Sequence, residues 1–213
     1  QEMYNDRTIY KKKMLTAKQL YEDTKDPKYL NDVARFQNIQ MARKISLNSA
    51  YGAIGNEWFR YYDLRIAEGI TTSGQLSIRW IEQALNEYLN KLLKTDGDDY
   101  VIASDTDSVY ISFDKLVNTV LKKRENESES AYRGRAVDFL DRIAQEKIEP
   151  FINKSYQELA SYVNAYDQKM EMGREAIADK GIWTAKKRYI LNVWDMEGVR
   201  YQEPQLKIMG IEA

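Results

Sequence analysis

Asp105 and Asp107 stand two residues apart between two apolar runs, Tyr100-Val101-Ile102 before and Val109-Tyr110-Ile111-Ser112-Phe113 after. That order predicts strand, tight turn, strand, with both carboxylates at the turn. Two carboxylates held on a hairpin suit hard divalent cations, because magnesium takes oxygen ligands from one or two carboxylates plus substrate phosphates. On spacing alone the pair is equally an ordinary turn, where Asp is common. A second set lies upstream. Lys44, Asn48 and Tyr51 are spaced four and three apart, so they share one face of a helix. That face offers a cation for phosphate, an amide for phosphate or sugar, and a flat ring for a base; on spacing alone an ordinary exposed face is the commoner reading. Arg7 and Lys11, again four apart, add two cations to an earlier helix, a pair that alone is more often a solvated face. The chain has no His and no Cys. This excludes Ser-His and Cys-His nucleophile schemes, thiolate zinc sites and disulfides. Chemistry here falls to carboxylates, Lys, Arg, Tyr and bound metal.

The elements that position these residues follow from the pattern. Residues 2–21 hold no Pro or Gly and predict a helix, broken at Thr24-Lys25-Asp26-Pro27. A second helix is predicted over Tyr29–Ala53, ended by Gly52 and Gly55, which gives an antiparallel helical hairpin roughly 30 Å long. The aromatic run Glu57–Tyr62 is expected as a connector packed on the core. Residues 63–94 predict a helix with Leu76, Trp80, Ile81, Leu85, Leu89 and Leu92 as its apolar face. A turn over 95–99 leads to the Asp105/Asp107 hairpin. Residues 122–133 read as a polar loop or helix start, and Ala136–Tyr162 as a helix bent at Pro150. Strands are expected at Gln168–Ile177, Arg188–Trp194 and Gly198–Glu203. Helices followed by strands without a βαβ rhythm predict an α+β fold with an antiparallel sheet.

Length and composition allow one large domain or two small ones: 213 residues, 43% hydrophobic and 31% charged. No apolar run approaches the roughly 18 residues of a membrane span, and no signal peptide pattern opens the sequence. The net charge is −1, yet residues 1–53 carry seven Lys and three Arg against six acids, leaving the excess of acid in the remainder. A basic arm beside an acidic body suits a protein that grips phosphate at one place and metal at another.

Three segments carry a family resemblance. Lys44-Ile45-Ser46-Leu47-Asn48-Ser49-Ala50-Tyr51-Gly52 resembles the K-x-x-x-N-S-x-Y-G fingers motif of family B DNA polymerases. Asp105-Thr106-Asp107-Ser108 resembles their D-T-D-S palm motif, and Lys186-Lys187-Arg188-Tyr189 their K-K-R-Y palm motif. Tyr61-Tyr62-Asp63-Leu64-Arg65, Arg174-Glu175-Ala176-Ile177 and Leu191–Gly198 are similar to the replicative polymerases of tailed phages. The resemblance implies a fingers helical hairpin at 1–53 joined to an antiparallel-sheet palm with packed helices at 54–213. It implies template-dependent addition of deoxynucleotides to a primer 3′ end by two-metal nucleotidyl transfer with Mg2+. Arg7 and Lys11 match positions that hold the β- and γ-phosphates of the incoming nucleotide, with Lys44 and Asn48 their partners and Tyr51 beneath the nascent pair. Asp107 matches the main metal ligand, Asp105 its companion near the primer terminus, and Glu175 an acid near the metals; Lys44 joins the two Asp as a catalytic residue. Lys186, Lys187, Arg188 and Tyr189 match the segment that touches primer-template DNA. The implied partners are that DNA and deoxynucleoside triphosphates, in the cytoplasm, or the host cytoplasm for a phage protein.

The sequence also departs from the family. A D-x-x-S-L-Y-P motif, source of the facing palm carboxylate, does not occur in it. The palm is therefore expected to be incomplete, lacking one strand region, the exonuclease and the thumb, with a separate chain supplying them and an apolar edge left exposed. The isolated chain is expected to be inactive. Ala103-Ser104 stands where Tyr-Gly is usual, and Gly173 where relatives carry an acid. The alternative is a non-catalytic DNA-binding or assembly module that retains the polymerase fold.

Overall fold

The computed structural model describes residues 2–211; Gln1, Glu212 and Ala213, at the outer ends of the two expected domains, lie outside the described residues. The fold is α+β, with two small antiparallel sheets. Its chain divides into two compact units. The first holds the residues up to Thr71, Ala178–Gly181 and Leu191–Lys207. The second holds Thr72–Ile177, Ile182–Ile190 and the residues from Ile208.

In the first unit, α1 (Glu2–Thr24) and α2 (Lys28–Ile54) form the expected hairpin. Lys25 ends α1 in the left-handed region (φ 54), and the Asp26 carboxylate accepts from Lys28 N–H (3.0 Å) as α2 begins. The apolar stripe is weak, and so is the burial: only Ala17 and Gln40 of these helices are buried. Tyr10 meets Phe36 (6.2 Å between centroids), and Arg43 pairs with Asp6 (3.6 Å). The aromatic connector departs from expectation. Turn hydrogen bonds such as Phe59 N–H to Asn56 O (2.9 Å) shape it locally, and its rings face solvent, with Trp58 89% exposed.

In the second unit, the C-terminal half of α3 (Leu64–Leu93) supplies the core. Ile81, Leu85 and Leu89, four apart, are fully buried against Tyr100, Val101, Ile148, Ile152, Tyr156 and Leu159. The expected face is corrected at its ends: Ser77 continues the buried stripe, whereas Leu76 and Leu92 are exposed. Strands β1 (Val101–Asp105) and β2 (Ser108–Ile111) pair antiparallel, and α4 (Asp114–Val120) follows. The long helix expected over 136–162 is two helices, α5 (Glu129–Ile143) and α6 (Glu149–Tyr162), joined by a π segment at Ala144–Ile148. Pro150 sits in the first turn of α6, where its missing N–H is tolerated, and the widened turn before it takes up the mismatch.

Residues 163–175 are irregular, so the strand expected at Gln168–Ile177 is not formed until Ala176. Side chains compete for the backbone there: Gln168 Nε2 donates to Met170 O (2.9 Å), and Glu149 accepts from Arg174 N–H (2.8 Å). The second sheet has the order β3-β4-β5, with β3 at Ala176–Ala185, β4 at Arg188–Met196 and β5 at Val199–Met209. Central β4 alternates buried and half-buried residues along its length. Edge strand β5 carries Pro204, which an edge tolerates, and exposes Leu206, Ile208 and Met209.

Candidate functional site

The Asp105/Asp107 turn is built on α3. Asn86 and Asn90, one helical turn apart, receive the loop that leads into β1. Asn86 Oδ1 accepts from the backbone N–H of Tyr100 (2.8 Å) and Val101 (3.0 Å), and its Nδ2 donates to Asp99 (2.9 Å). Asn90 Oδ1 accepts from Asp98 N–H (2.9 Å) and the Thr95 hydroxyl (2.8 Å), while its Nδ2 donates to Asp98 O (2.7 Å). Two amides on one rigid helix thus fix where β1 starts. The β1–β2 register pairs Asp105 with Ser108, leaving Thr106 and Asp107 as a two-residue turn, with a bulge between Val101 and Ala103.

The turn itself is constrained. Thr106 adopts φ 53, a region that a β-branched residue rarely enters. Its hydroxyl donates to Asp105 Oδ1 (2.9 Å), the Ser108 hydroxyl donates to Asp105 O (3.1 Å), and Asp107 N–H donates to the same carbonyl (2.6 Å). Asp105 is half-buried and Asp107 exposed. Burial pushes the Tyr156 hydroxyl on α6 above its ordinary pKa, and the negative charge of Asp107 pushes it further the same way. Tyr156 therefore stays a neutral phenol behind the turn.

The donor set fits a hard cation that completes its shell with substrate and water oxygens: two carboxylates across one turn. Among the described residues no group of three or more acids could hold a metal by itself, so Glu175 does not converge with Asp105 and Asp107 into such a cluster. Glu175 is exposed, one residue before β3.

Lys186 and Lys187 form the two-residue turn between β3 and β4, with Lys187 at φ 62. Lys186, Lys187 and Arg188 are exposed. Tyr189 differs from its three neighbours. It is 8% exposed, with its ring against Tyr110 of β2 (5.5 Å), while Trp183 also meets Tyr110 (5.2 Å). It packs the turn down rather than presenting a ring to solvent. Gly210 (φ 64) lies against the same turn: a Cβ there would stand 2.2 Å from Lys187 O.

The predicted nucleotide residues lie in the first unit. Lys44, Asn48 and Tyr51 follow one another along α2, all exposed. Arg7 Nε on α1 is buried with no hydrogen-bond partner among the described residues. Lys11, one turn further, is paired with Glu197 (Nζ to Oε1 2.6 Å). Asn86, Asn90, Tyr156, Glu197 and Gly210 escape sequence reasoning. The one available signal is the Asn86/Asn90 pair, polar at helical spacing in an apolar-faced helix just before a turn.

A family model described as DNA polymerase family B matches residues 3–128. The chain is 51% identical over 181 residues to the DNA-directed DNA polymerase of Escherichia phage RB69, an alignment covering 81% of this chain and 20% of that protein. It is 48% identical over 181 residues to the DNA-directed DNA polymerase of Enterobacteria phage T4, with the same coverage, 81% and 20%. It is 31% identical over 94 residues to DNA polymerase 1 of Aeropyrum pernix, covering 43% of this chain and 9% of that one. The chain spans about a fifth of the length of the two phage relatives. With more than half of its residues matched by the family model, the chain belongs to DNA polymerase family B.

Proposed function

We propose that this chain carries part of the nucleotidyl-transfer site of a template-dependent DNA polymerase, with residues 1–53 as fingers and 54–213 as an incomplete palm. The observation that carries the proposal is the Asp105-Thr106-Asp107-Ser108 hairpin, two carboxylates on a constrained turn in a chain of this family. The substrates are primer-template DNA and deoxynucleoside triphosphates, and the setting is the cytoplasm, of the host for a phage protein.

Asp107, exposed at the turn, offers its carboxylate to a divalent cation; Asp105, fixed by the Thr106 hydroxyl, offers a second beside it. Mg2+, when bound, lowers the charge barrier to attack by the primer 3′-hydroxyl and to departure of pyrophosphate. Glu175, which forms no three-acid cluster with Asp105 and Asp107, takes no ligand role. Arg7, Lys11 and Lys44 neutralise the triphosphate, Arg as a fork and the lysines as point charges. Asn48 hydrogen-bonds phosphate or sugar, and Tyr51 supports the base. Lys186, Lys187 and Arg188 hold the DNA backbone, with Tyr189 steadying their turn. The facing palm carboxylate comes from a D-x-x-S-L-Y-P segment that these 213 residues do not contain. It belongs to a neighbouring stretch or a separate chain, together with exonuclease and thumb.

Primer extension tests this. The 213-residue chain alone is expected to extend nothing. Supplemented with a polypeptide carrying the D-x-x-S-L-Y-P region, it should give Mg2+-dependent extension that Asp107→Asn lowers at least about a hundredfold. Template-dependent synthesis by the chain alone sinks the claim of incompleteness. Extension indifferent to Asp107→Asn sinks the site. DNA binding with no extension in any mixture favours the assembly-module reading.

A further inference from the structure

The β4–β5 hairpin does more than close a sheet. Its two-residue turn, Glu197-Gly198, has both residues at positive φ (52 and 87), the geometry of a type I′ turn. Asn, Asp or Gly normally fills the first position, because only they enter that region cheaply. Here a Glu fills it, and its carboxylate reaches α1 to pair with the Lys11 ammonium at 2.6 Å. Both side chains are about two-thirds covered (35% and 29% exposed), which spares the pair much of the screening a surface ion pair suffers.

The rest of the hairpin is braced toward the same helix. Lys18, seven residues after Lys11 and on the same face, donates to the Tyr201 hydroxyl (2.9 Å). Gln19 Oε1 accepts from Arg200 N–H (2.7 Å). Buried Asp195 accepts from Gly198 N–H (3.0 Å) and from Arg200 Nε (3.2 Å), which fixes the turn from below. Every one of these residues belongs to the first unit.

We propose that Glu197 is a positioning residue for the nucleotide triphosphate: it holds the Lys11 ammonium on the β4–β5 turn, so a triphosphate takes that cation in competition with the carboxylate. This rests on Lys11 being a phosphate ligand. The carboxylate offsets the charge that would draw phosphate to the ammonium, so the Lys11–Glu197 pair lowers the affinity of a ligand whose phosphates must reach Lys11. A deoxynucleoside monophosphate, lacking β- and γ-phosphates, leaves the pair closed.

The test is equilibrium binding of dTTP with Mg2+ to the 213-residue chain, beside dTMP as control, in wild type, Glu197→Gln, Glu197→Asn, Lys11→Ala and Lys11→Ala/Glu197→Asn. Glu197→Asn keeps the turn, since Asn suits its φ, while removing the charge. Both Glu197 variants should bind dTTP about two- to fivefold more tightly, the span of a partly covered ion pair, with dTMP unchanged. The gain should shrink as salt is raised. Lys11→Ala should weaken dTTP binding and erase the effect of Glu197→Asn. If Lys11→Ala weakens binding but neither Glu197 variant tightens it, the positioning role is wrong while the phosphate site stands. If Lys11→Ala leaves dTTP binding untouched, or no variant binds dTTP, the phosphate reading beneath it falls.

Discussion

Asn86→Ala isolates how α3 positions the two carboxylates. The side chain accepts from Tyr100 N–H at 2.8 Å and from Val101 N–H at 3.0 Å. Tyr100 and Val101 are 3% and 4% exposed, so water cannot easily replace the lost oxygen. A buried donor left unpaired costs about 1–3 kcal/mol, and two such donors give about 2–5 kcal/mol after partial relaxation. The loss belongs to the start of β1, so it should also appear locally. Urea unfolding of Asn86→Ala should show a lower midpoint with an unchanged slope, and hydrogen exchange at Tyr100 and Val101 should speed up more than at Leu85 or Leu89. Asn86→Asp retains an acceptor for both amides but meets Asp99 with a like charge in place of the Nδ2 donor (2.9 Å). It should lose less stability than Ala, and its deficit should shrink as the pH is lowered through the carboxylate range. A midpoint shift under about 0.5 kcal/mol for Asn86→Ala, or unchanged exchange at the two amides, refutes the argument that this asparagine sets the hairpin.

Gly210→Ala and Gly134→Ala should move stability in opposite directions. At Gly210 the new Cβ meets Lys187 O at 2.2 Å with φ at 64, so a loss of about 2–4 kcal/mol and weakened DNA binding through the displaced Lys186-Lys187 turn are expected; at Gly134, inside α5 with open space around it, a gain of about 0.5–1 kcal/mol is expected by urea unfolding. Arg135 donates to Glu127 through Nε (3.0 Å) and Nη2 (2.7 Å), and this holds the Glu127 carboxyl down to about 2. Because the folded value lies below the unfolded one of 4.5, the stabilisation is complete above pH 4.5 and is lost as pH falls through about 2. The stability gap between wild type and Arg135→Ala should therefore narrow steadily across that window, and a constant gap down to pH 2 counts against it.

Much of the fold is legible because its elements obey local rules. The α1–α2 hairpin declares itself through a Pro/Gly-free run, a breaker and a second run, and the structure bounds it at Thr24 and Lys28. The four-residue rhythm of Ile81, Leu85 and Leu89 marks the face that becomes the core. What fails is decided by contacts that the local sequence does not encode. The Trp58 and Tyr61 rings look like core yet face solvent, since turn bonds rather than burial shape that connector. The segment 168–175 alternates like a strand, but Gln168 and Glu149 take its backbone partners. Strand β3 hides behind Lys180 and Gly181 because its exposed face carries little apolar signal. For the candidate site, residue types and spacing single out the carboxylates and cations. The groups that hold them, Asn86 on the helix and Glu197 186 residues from Lys11, become visible only through pairing in space.

The positive-φ residues sharpen that distinction. Lys25 and Lys94 directly follow α1 and α3, where a left-handed residue is the ordinary way to end a helix, and Asn126 and Asn164 are of the type that tolerates it. Three remain: Thr106, Lys187 and Glu197, in the turns β1–β2, β3–β4 and β4–β5. Each adopts a conformation that Gly or Asn would enter about 1 kcal/mol more cheaply. Two of them also carry a side-chain contact, the Thr106 hydroxyl on Asp105 and the Glu197 carboxylate on Lys11, while Lys187 is exposed in the turn proposed to hold DNA. Stability alone would select Gly or Asn at all three, which is what the proposed roles of these turns would explain. The corresponding trend is testable as a set. Thr106→Gly, Lys187→Gly and Glu197→Gly should each leave the chain at least as stable as a matched Gly substitution at an exposed strand position, while Glu197→Gly frees Lys11. A uniform destabilisation above about 1 kcal/mol would mean that these side chains are structural, and that the strain has another origin.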